Sequence, residues 1–130
     1  MGGGKPLGEY SRQHLAAALQ QRQDCSVLLA YKGDQPVGLL TAFEGFSTFY
    51  CKPLLNIHDL VVDASYRGQG ISRMLLAEIE QIAIERGCCK LTLEVLEGNA
   101  TAQAAYRRCG FDGYQLDPEM GKALFWEKAL

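Results

Sequence analysis

The sequence of 130 residues lacks the features that mark several protein classes. It has no run of about 20 apolar residues, which a membrane-spanning helix requires, and no apolar segment near Met1 of the kind found in signal peptides. Thirteen basic residues against fifteen acidic ones leave a net charge of −2. This charge offers no general attraction to nucleic acid or anionic lipid, so we expect neither kind of partner. Because the sequence shows neither a membrane span nor a signal peptide, we expect a cytoplasmic protein.

Cysteine and histidine are too few, or wrongly spaced, for common metal and disulfide sites. The five cysteines are an odd number, Cys88 and Cys89 are adjacent, and no pair has the C-x-x-C spacing. These features disfavour both a disulfide framework and a zinc ribbon. With His14 and His58 as the two histidines, we expect no metal site.

The length and the 48% content of hydrophobic residues favour one globular domain. Residues 1–10 are rich in glycine and show no periodicity, so they are predicted to form a flexible leader. The single domain is then expected over residues 11–130.

Apolar periodicity and turn residues predict the order of the elements. Helices are expected at residues 11–22, 71–86 and 100–108, with Ser11 and Asn99 as N-caps. Strands are expected at residues 25–31, 37–46, 54–62, 90–95, 111–115 and 124–126. The third strand, the long helix and the fourth strand form one central parallel βαβ crossover. The fold class is therefore α/β (α+β), with a mixed, mostly antiparallel sheet of about six strands flanked by helices.

A glycine-containing turn joins the third strand to the long helix. Its sequence, Arg67-Gly-Gln-Gly-Ile-Ser72, lets backbone N–H groups converge without hindrance from Cβ atoms. Arg67 and Arg73 add positive charge, and the helix dipole favours an anion at the same end. The turn is a candidate phosphate site, although Gly68 and Gly70 are also what a tight strand-to-helix turn requires.

Three separated blocks of the chain resemble the GNAT superfamily of acyl-CoA-dependent N-acetyltransferases. They are Leu60-Val-Val-Asp-Ala-Ser-Tyr-Arg-Gly-Gln-Gly-Ile-Ser72, Leu91-Thr-Leu-Glu-Val95, and Asn99 with Ala104-Ala-Tyr-Arg-Arg-Cys-Gly-Phe111. The resemblance covers about residues 25–130. It implies a GNAT-like fold and an enzyme that moves acetyl from acetyl-CoA directly to a primary amine of a small molecule or peptide.

The resemblance also implies which residues hold the coenzyme. The family's phosphate motif maps onto Arg67, Gly70 and Ser72, although Ser72 departs from the usual Gly or Ala. The strand backbone at Leu60–Val62 is expected to bond to the pantetheine arm. The full set implied is Leu60, Val61, Val62, Arg67, Gly68, Gln69, Gly70, Ile71, Ser72, Arg73, Asn99 and Tyr106.

Proton transfer is assigned less completely. The resemblance makes Tyr106 the general acid for the leaving thiolate, a role that suits a phenol that stays protonated at neutral pH. The position that often carries a glutamate base in the family is Asn56, which cannot take the proton. His58 shares the strand parity of Asn56 and Leu60, and Glu94 lies on the polar face of the next strand. Glu94, His58 and a water relay therefore remain open as routes for the amine proton.

Two other functions compete with the predicted acetyltransferase activity. A catalytically idle acyl-CoA-binding or regulatory module is favoured by Asn56 and by the short segment before the first strand. A thiol hydrolase pairing Cys51 with His58 has weaker support, from spacing alone. The same short segment leads to the hypothesis that a second copy, in a homodimer, completes the acceptor side or covers a sheet edge.

Overall fold

The computed structural model describes residues 5–114 and 117–130. Contacts divide the chain into two compact units, Met1–Leu96 and Glu97–Leu130. The first unit contains α1 (Glu9–Gln20), β1 (Cys25–Lys32), β2 (Gln35–Ser47), β3 (Lys52–Val62), a 3-10 turn (Ala64–Tyr66), α2 (Ile71–Glu85) and β4 (Leu91–Leu93). The second contains α3 (Ala100–Arg108). None of the helices in the described ranges is long and apolar enough to cross a membrane.

The sheet is mixed and has the strand order β1-β2-β3-β4. The first three strands pair antiparallel, and β3 pairs with β4 in parallel through the α2 crossover, as predicted. The predicted number of about six strands is not matched, because the described residues form a sheet of four.

The two C-terminal strands are absent from the described residues. Phe111 to Tyr114 have no strand conformation, and Gln115 lies outside the described residues. Leu124 to Trp126 are also irregular, with 74% to 83% of each side chain's surface exposed. Apolar residues support a strand when they pack against a core, and Leu124 to Trp126 lack that burial.

α2 and α3 agree with prediction to within one residue, whereas α1 begins and ends two residues earlier than predicted. That helix begins at Glu9, within the stretch predicted as a leader, and its N-cap is Gly8 rather than Ser11. The Arg12 N–H donates to the Gly8 carbonyl at 3.0 Å, which closes the first turn. Asn99 is confirmed as the N-cap of α3, where its Oδ1 accepts from the Ala102 N–H at 3.1 Å.

The core of the first unit lies between α2 and one face of the sheet. The buried apolar side chains are Val37, Leu40 and Ala42 on β2, Leu55 and Ile57 on β3, and Leu75, Leu76, Ile79 and Ala83 on α2. The helical set falls on one stripe because residues three and four apart share a face. Met74, on the same helix, is 69% exposed.

The first turn of α2 lies very close to β2 at Gly38. A Cβ atom built on Gly38 would be 2.9 Å from the Ile71 Cγ2, 3.2 Å from the Leu75 Cδ1 and 3.3 Å from the Ala30 Cβ. Real Cβ atoms essentially never approach another atom to 2.9 Å, so a side chain at this position would force Ile71 or the strand to shift. The contact sets the position of the helix end that follows Gly70.

We predict that Gly38→Ala lowers the free energy of unfolding by about 1–3 kcal/mol, the usual cost of overpacking a core. Urea denaturation of the wild-type protein and the variant measures this. Gly98→Ala is the matched control, since a Cβ at Gly98 meets nothing within 4 Å. Equal stability of the two variants would show that the α2 contact tolerates an added methyl group.

Candidate active site

The turn between β3 and α2 has the backbone geometry of an anion site. Gly68 and Gly70 have φ values of +77° and +81°, in the left-handed region that favours glycine. Cβ atoms built at either position would meet nothing within 4 Å, so the space beside this backbone is open. Gly70 is the N-cap of α2 and has no side chain to accept from the first helical N–H groups. These donors therefore have no intrahelical partner and can bind an anion.

The turn is tied to the sheet on its N-terminal side. The Asp63 N–H donates to the Val37 carbonyl at 2.9 Å, and the Asp63 side chain accepts from the Ser65 N–H at 2.9 Å. The Tyr66 N–H donates to the Asp63 carbonyl, also at 2.9 Å. Arg67 and Arg73 are exposed on either side of Gly68–Ser72. The candidate phosphate turn thus combines an anchored backbone with exposed positive charge.

A slot opens where β3 and β4 stop pairing. The parallel ladder joins Leu55 to Leu91, Asn56 to Thr92 and Ile57 to Leu93, and it ends there. β3 continues to Val62, and no strand in the described part of the chain pairs with it on the β4 side beyond Ile57. Strand groups left unpaired in this way can bond to an extended ligand. The slot leads from His58 through Leu60, Val61 and Val62 to the candidate phosphate turn.

Polar side chains bridge the two strands next to the end of the ladder. The Asn56 amide donates to the Thr92 hydroxyl oxygen at 2.9 Å and to the Glu94 Oε1 at 3.4 Å. Asn56 and Thr92 are register partners, and Glu94 follows β4 directly. The structure therefore brings together two residues that the sequence placed at the acceptor side. Glu94 is exposed, and its carboxylate accepts from the neutral amide of Asn56.

A β-bulge lies at His58 and changes the predicted strand parity. Thr41 pairs with Asp59 and Ala42 pairs with Ile57, so His58 is the extra residue on β3. The prediction that Leu60 shares a face with Asn56 is therefore wrong, because Leu60 pairs with Leu40 and Asn56 pairs with Phe43, three residues further along β2. Asp59 continues that face instead, and its Oδ2 accepts from the Thr41 hydroxyl at 2.5 Å.

The exposed His58 ring packs against an aromatic residue. His58 and Phe43 are edge to face, with centroids 5.6 Å apart, and Phe43 is the register partner of Asn56. The guanidinium of Arg22 lies 5.6 Å from the Phe43 centroid and is paired with Asp24 at 2.6 Å. His58 is consequently held near Asn56 by the packing of its ring against Phe43.

Asn99 and Tyr106 belong to the second compact unit. Asn99 uses its side chain to cap α3. Tyr106 is half-buried and contacts Phe111 with ring centroids 6.0 Å apart. Burial raises the pKa of Tyr106 above its ordinary value near 10, so the phenol is protonated at neutral pH and can donate a hydrogen bond.

The cysteines offer no supported nucleophile. Cys51 lies in the turn before β3, about 20 Å from His58 along a strand that rises about 3.3 Å per residue, which excludes the hydrolase dyad. Burial, followed by the negative charge of Glu44, raises the pKa of the Cys88 thiol and disfavours the reactive thiolate. No group of three or more metal-ligating side chains occurs among residues 5–114 and 117–130.

Three residues near the candidate site, Asp59, Phe43 and Lys32, were not predicted from the sequence. Asp59 was hidden because a bulge cannot be read from alternation. Phe43 and Lys32 act from neighbouring strands, and their contacts with His58 and Gln69 depend on strand register. Thr92 alternates with Leu91 and Leu93 and therefore lies on the polar face of its strand. The parallel register then explains its bond to Asn56.

Comparison with known proteins places these features in one family. The profile of the Acetyltransferase (GNAT) family matches residues 4–111. Streptothricin acetyltransferase of Streptomyces lavendulae is 40% identical over 95 residues, which cover 72% of this chain and 50% of that protein. Thialysine N-epsilon-acetyltransferase of Bos taurus is 35% identical over 79 residues, covering 61% of this chain and 46% of that protein. The chain thus spans about half the length of these curated relatives.

Solved structures show the same fold. An aminoglycoside acetyltransferase from an uncultured soil metagenomic sample, crystallised with sisomicin, superposes with a TM-score of 0.77 at 21% identity and covers 98% of this chain and 78% of that one. Aminoglycoside antibiotic 6′-N-acetyltransferase from Acinetobacter haemolyticus also has a TM-score of 0.77 at 21% identity, covering 97% and 85% of the two chains. With the family profile spanning most of the sequence, the chain belongs to the Acetyltransferase (GNAT) family.

Proposed function

We propose that the protein is an N-acetyltransferase that transfers acetyl from acetyl-CoA directly to a primary amine. The observation that carries the proposal is the end of the β3–β4 ladder at Ile57 and Leu93, which opens a slot leading to the candidate phosphate turn. Membership of the GNAT family supports the reaction class. The homologous named enzymes, which act as acetyltransferases, support it further.

The chain's own residues fit coenzyme A. The open backbone at Gly68 and Gly70 and the uncapped start of α2 suit a diphosphate, with Arg67 and Arg73 as its positive complement. Gln69, Ile71 and Ser72 complete the turn. The free edge of β3 at Leu60, Val61 and Val62 suits the amide groups of a pantetheine arm. Bound acetyl-CoA would supply an activated acetyl group as its thioester.

Direct transfer requires two proton movements. The amine forms a C–N bond to the acetyl carbon as the C–S bond breaks, so the amine loses a proton and the thiolate gains one. Glu94 and His58, at the end of the parallel ladder, are the side chains proposed to take the first proton, with a water relay as the alternative. A backbone N–H near Val61 or Val62 is proposed to stabilise the negative charge that develops on the carbonyl oxygen.

The acceptor is proposed to be a small-molecule amine, with peptide amines as the alternative. The names of the relatives support this, since they refer to streptothricin, thialysine and aminoglycosides. The exposed carboxylate of Glu94 suits an acceptor that arrives as an ammonium ion.

The proposal predicts acetyl-CoA-dependent release of free thiol in the presence of an acceptor. A screen over aminoglycosides, polyamines, amino acids and peptide N-termini, monitored with a thiol reagent, measures this release. Calorimetry with coenzyme A runs in parallel. Coenzyme A binding without turnover on any amine would instead support the idle module, which Asn56 favours. Absence of coenzyme A uptake at millimolar concentration would remove both functions.

A pair of variants tests the general base. Replacement of the true base is expected to lower kcat/KM by about 10²- to 10⁴-fold and to flatten the rise of kcat/KM with pH, because that rise reports loss of the base's proton. His58→Gln and Glu94→Gln are compared in pH–rate profiles. Glu85→Gln, at the exposed end of α2, is the matched control. Unchanged profiles for both site variants would leave the water relay as the route.

Tyr106→Phe tests the general acid. We expect kcat to fall by about 10- to 1,000-fold with an unchanged Kd for acetyl-CoA, because phenylalanine keeps the ring that packs on Phe111 and removes the donor. Since the pKa of Tyr106 is raised, the wild-type enzyme should show no loss of the acid form below about pH 10. An unchanged kcat in the variant would contradict the role.

The homodimer remains a prediction. β1 is an edge strand of the described sheet, and it exposes Val27, Leu29 and Tyr31 along one face. Light scattering at micromolar concentrations measures the mass of the particle directly.

A further inference from the structure

Lys32 makes a long-range contact with the candidate phosphate turn. It is the last residue of β1, and its Nζ donates to the Gln69 Oε1 at 3.2 Å. The same ammonium lies 5.7 Å from the centroid of the Tyr66 ring. One side chain from the first hairpin therefore contacts the residue between the two glycines and the aromatic residue that precedes Arg67.

The position of Lys32 is set by a short, well-defined turn. Lys32 and Gln35 are register partners, and Gly33 and Asp34 form the two-residue connection between them. Gly33 has a φ of +61°, as such hairpin turns often require. Strand pairing thus fixes the backbone of Lys32, although the side chain is exposed.

Lys32 carries a positive charge, which favours binding of an anion at the candidate phosphate turn. The chain as a whole carries a net charge of −2, so attraction of a diphosphate must come from local cations. Arg67 and Arg73 are contributed by the turn and by α2 themselves. Lys32 adds a third positive charge from a different element, and its hydrogen bond holds the side chain of Gln69, which lies between Gly68 and Gly70.

We propose that Lys32 is a positioning residue for the coenzyme diphosphate, acting through its bond to Gln69 and through its charge beside the turn. This inference rests on the proposed coenzyme binding and extends it to the β1–β2 hairpin. The contact joins two exposed side chains, so it contributes little to folding stability. Its effect is expected on the affinity for a phosphorylated ligand.

Calorimetric titration of the full chain with coenzyme A tests the proposal. Lys32→Gln is expected to raise the Kd for coenzyme A about three- to tenfold and to weaken the dependence of Kd on NaCl concentration, with the thermal unfolding midpoint unchanged. Lys32→Arg should recover most of the affinity because it keeps the charge and can still donate to Gln69. Gln69→Ala should weaken binding less, and Lys32→Gln should have a smaller effect when Gln69 is already alanine.

Lys52→Gln is the matched control, since it removes an equal charge from an exposed lysine at the other end of β3. Its Kd and salt dependence should equal those of the wild-type protein. Wild-type binding with no change in Lys32→Gln, or an equal loss in Lys52→Gln, would overturn the role of Lys32 and leave the proposed function intact. Failure of the wild-type protein to bind coenzyme A would overturn the coenzyme assignment itself.

Discussion

The early end of the β3–β4 ladder is the constraint on which the rest of the site depends. The parallel pairs stop at Ile57 and Leu93, whereas β3 continues to Val62. A parallel crossover places the carboxyl ends of both strands at one edge of the sheet, where open sheets commonly bind ligands. Because β4 stops first, the edge of β3 beyond Ile57 has no paired strand on that side within residues 5–114 and 117–130. The bulge at His58 falls just beyond the last parallel pair, where added local twist accompanies the change in pairing.

The hairpin of β1 and β2 supports the other end of this slot. Gly38 lets the first turn of α2 lie against the sheet, and the Val37 carbonyl accepts from the Asp63 N–H that ends β3. Lys32, at the end of β1, then contacts the turn through its hydrogen bond to Gln69. Close packing, a backbone hydrogen bond and a side-chain contact therefore converge on one short segment. This combination explains how a loop with two glycines keeps a defined backbone, which a preorganised anion site requires.

The polar groups at the end of the ladder suit acyl transfer to an amine. Asn56 replaces the residue that often acts as a base in the family, and it donates to Thr92 and to Glu94 instead. A neutral amide cannot remove the amine proton, but it can orient a neighbouring carboxylate. His58 is held by its ring against Phe43. The proposed routes for the amine proton therefore run through Glu94, His58 or water rather than through Asn56.

Local sequence signals determined much of this protein before any contact was known. Helical periodicity and caps predicted α2 and α3, and the glycine turn and three blocks of residues indicated the family and the candidate phosphate turn. The tertiary structure decided the features that depend on pairing: the bulge that moves Asp59 onto the face of Asn56, the end of the β4 ladder, and the contact of Lys32 with Gln69. It also showed that Leu124 to Trp126 do not form a strand. Helix signals lie within a few neighbouring residues, whereas register and strand partners depend on groups far apart in the chain.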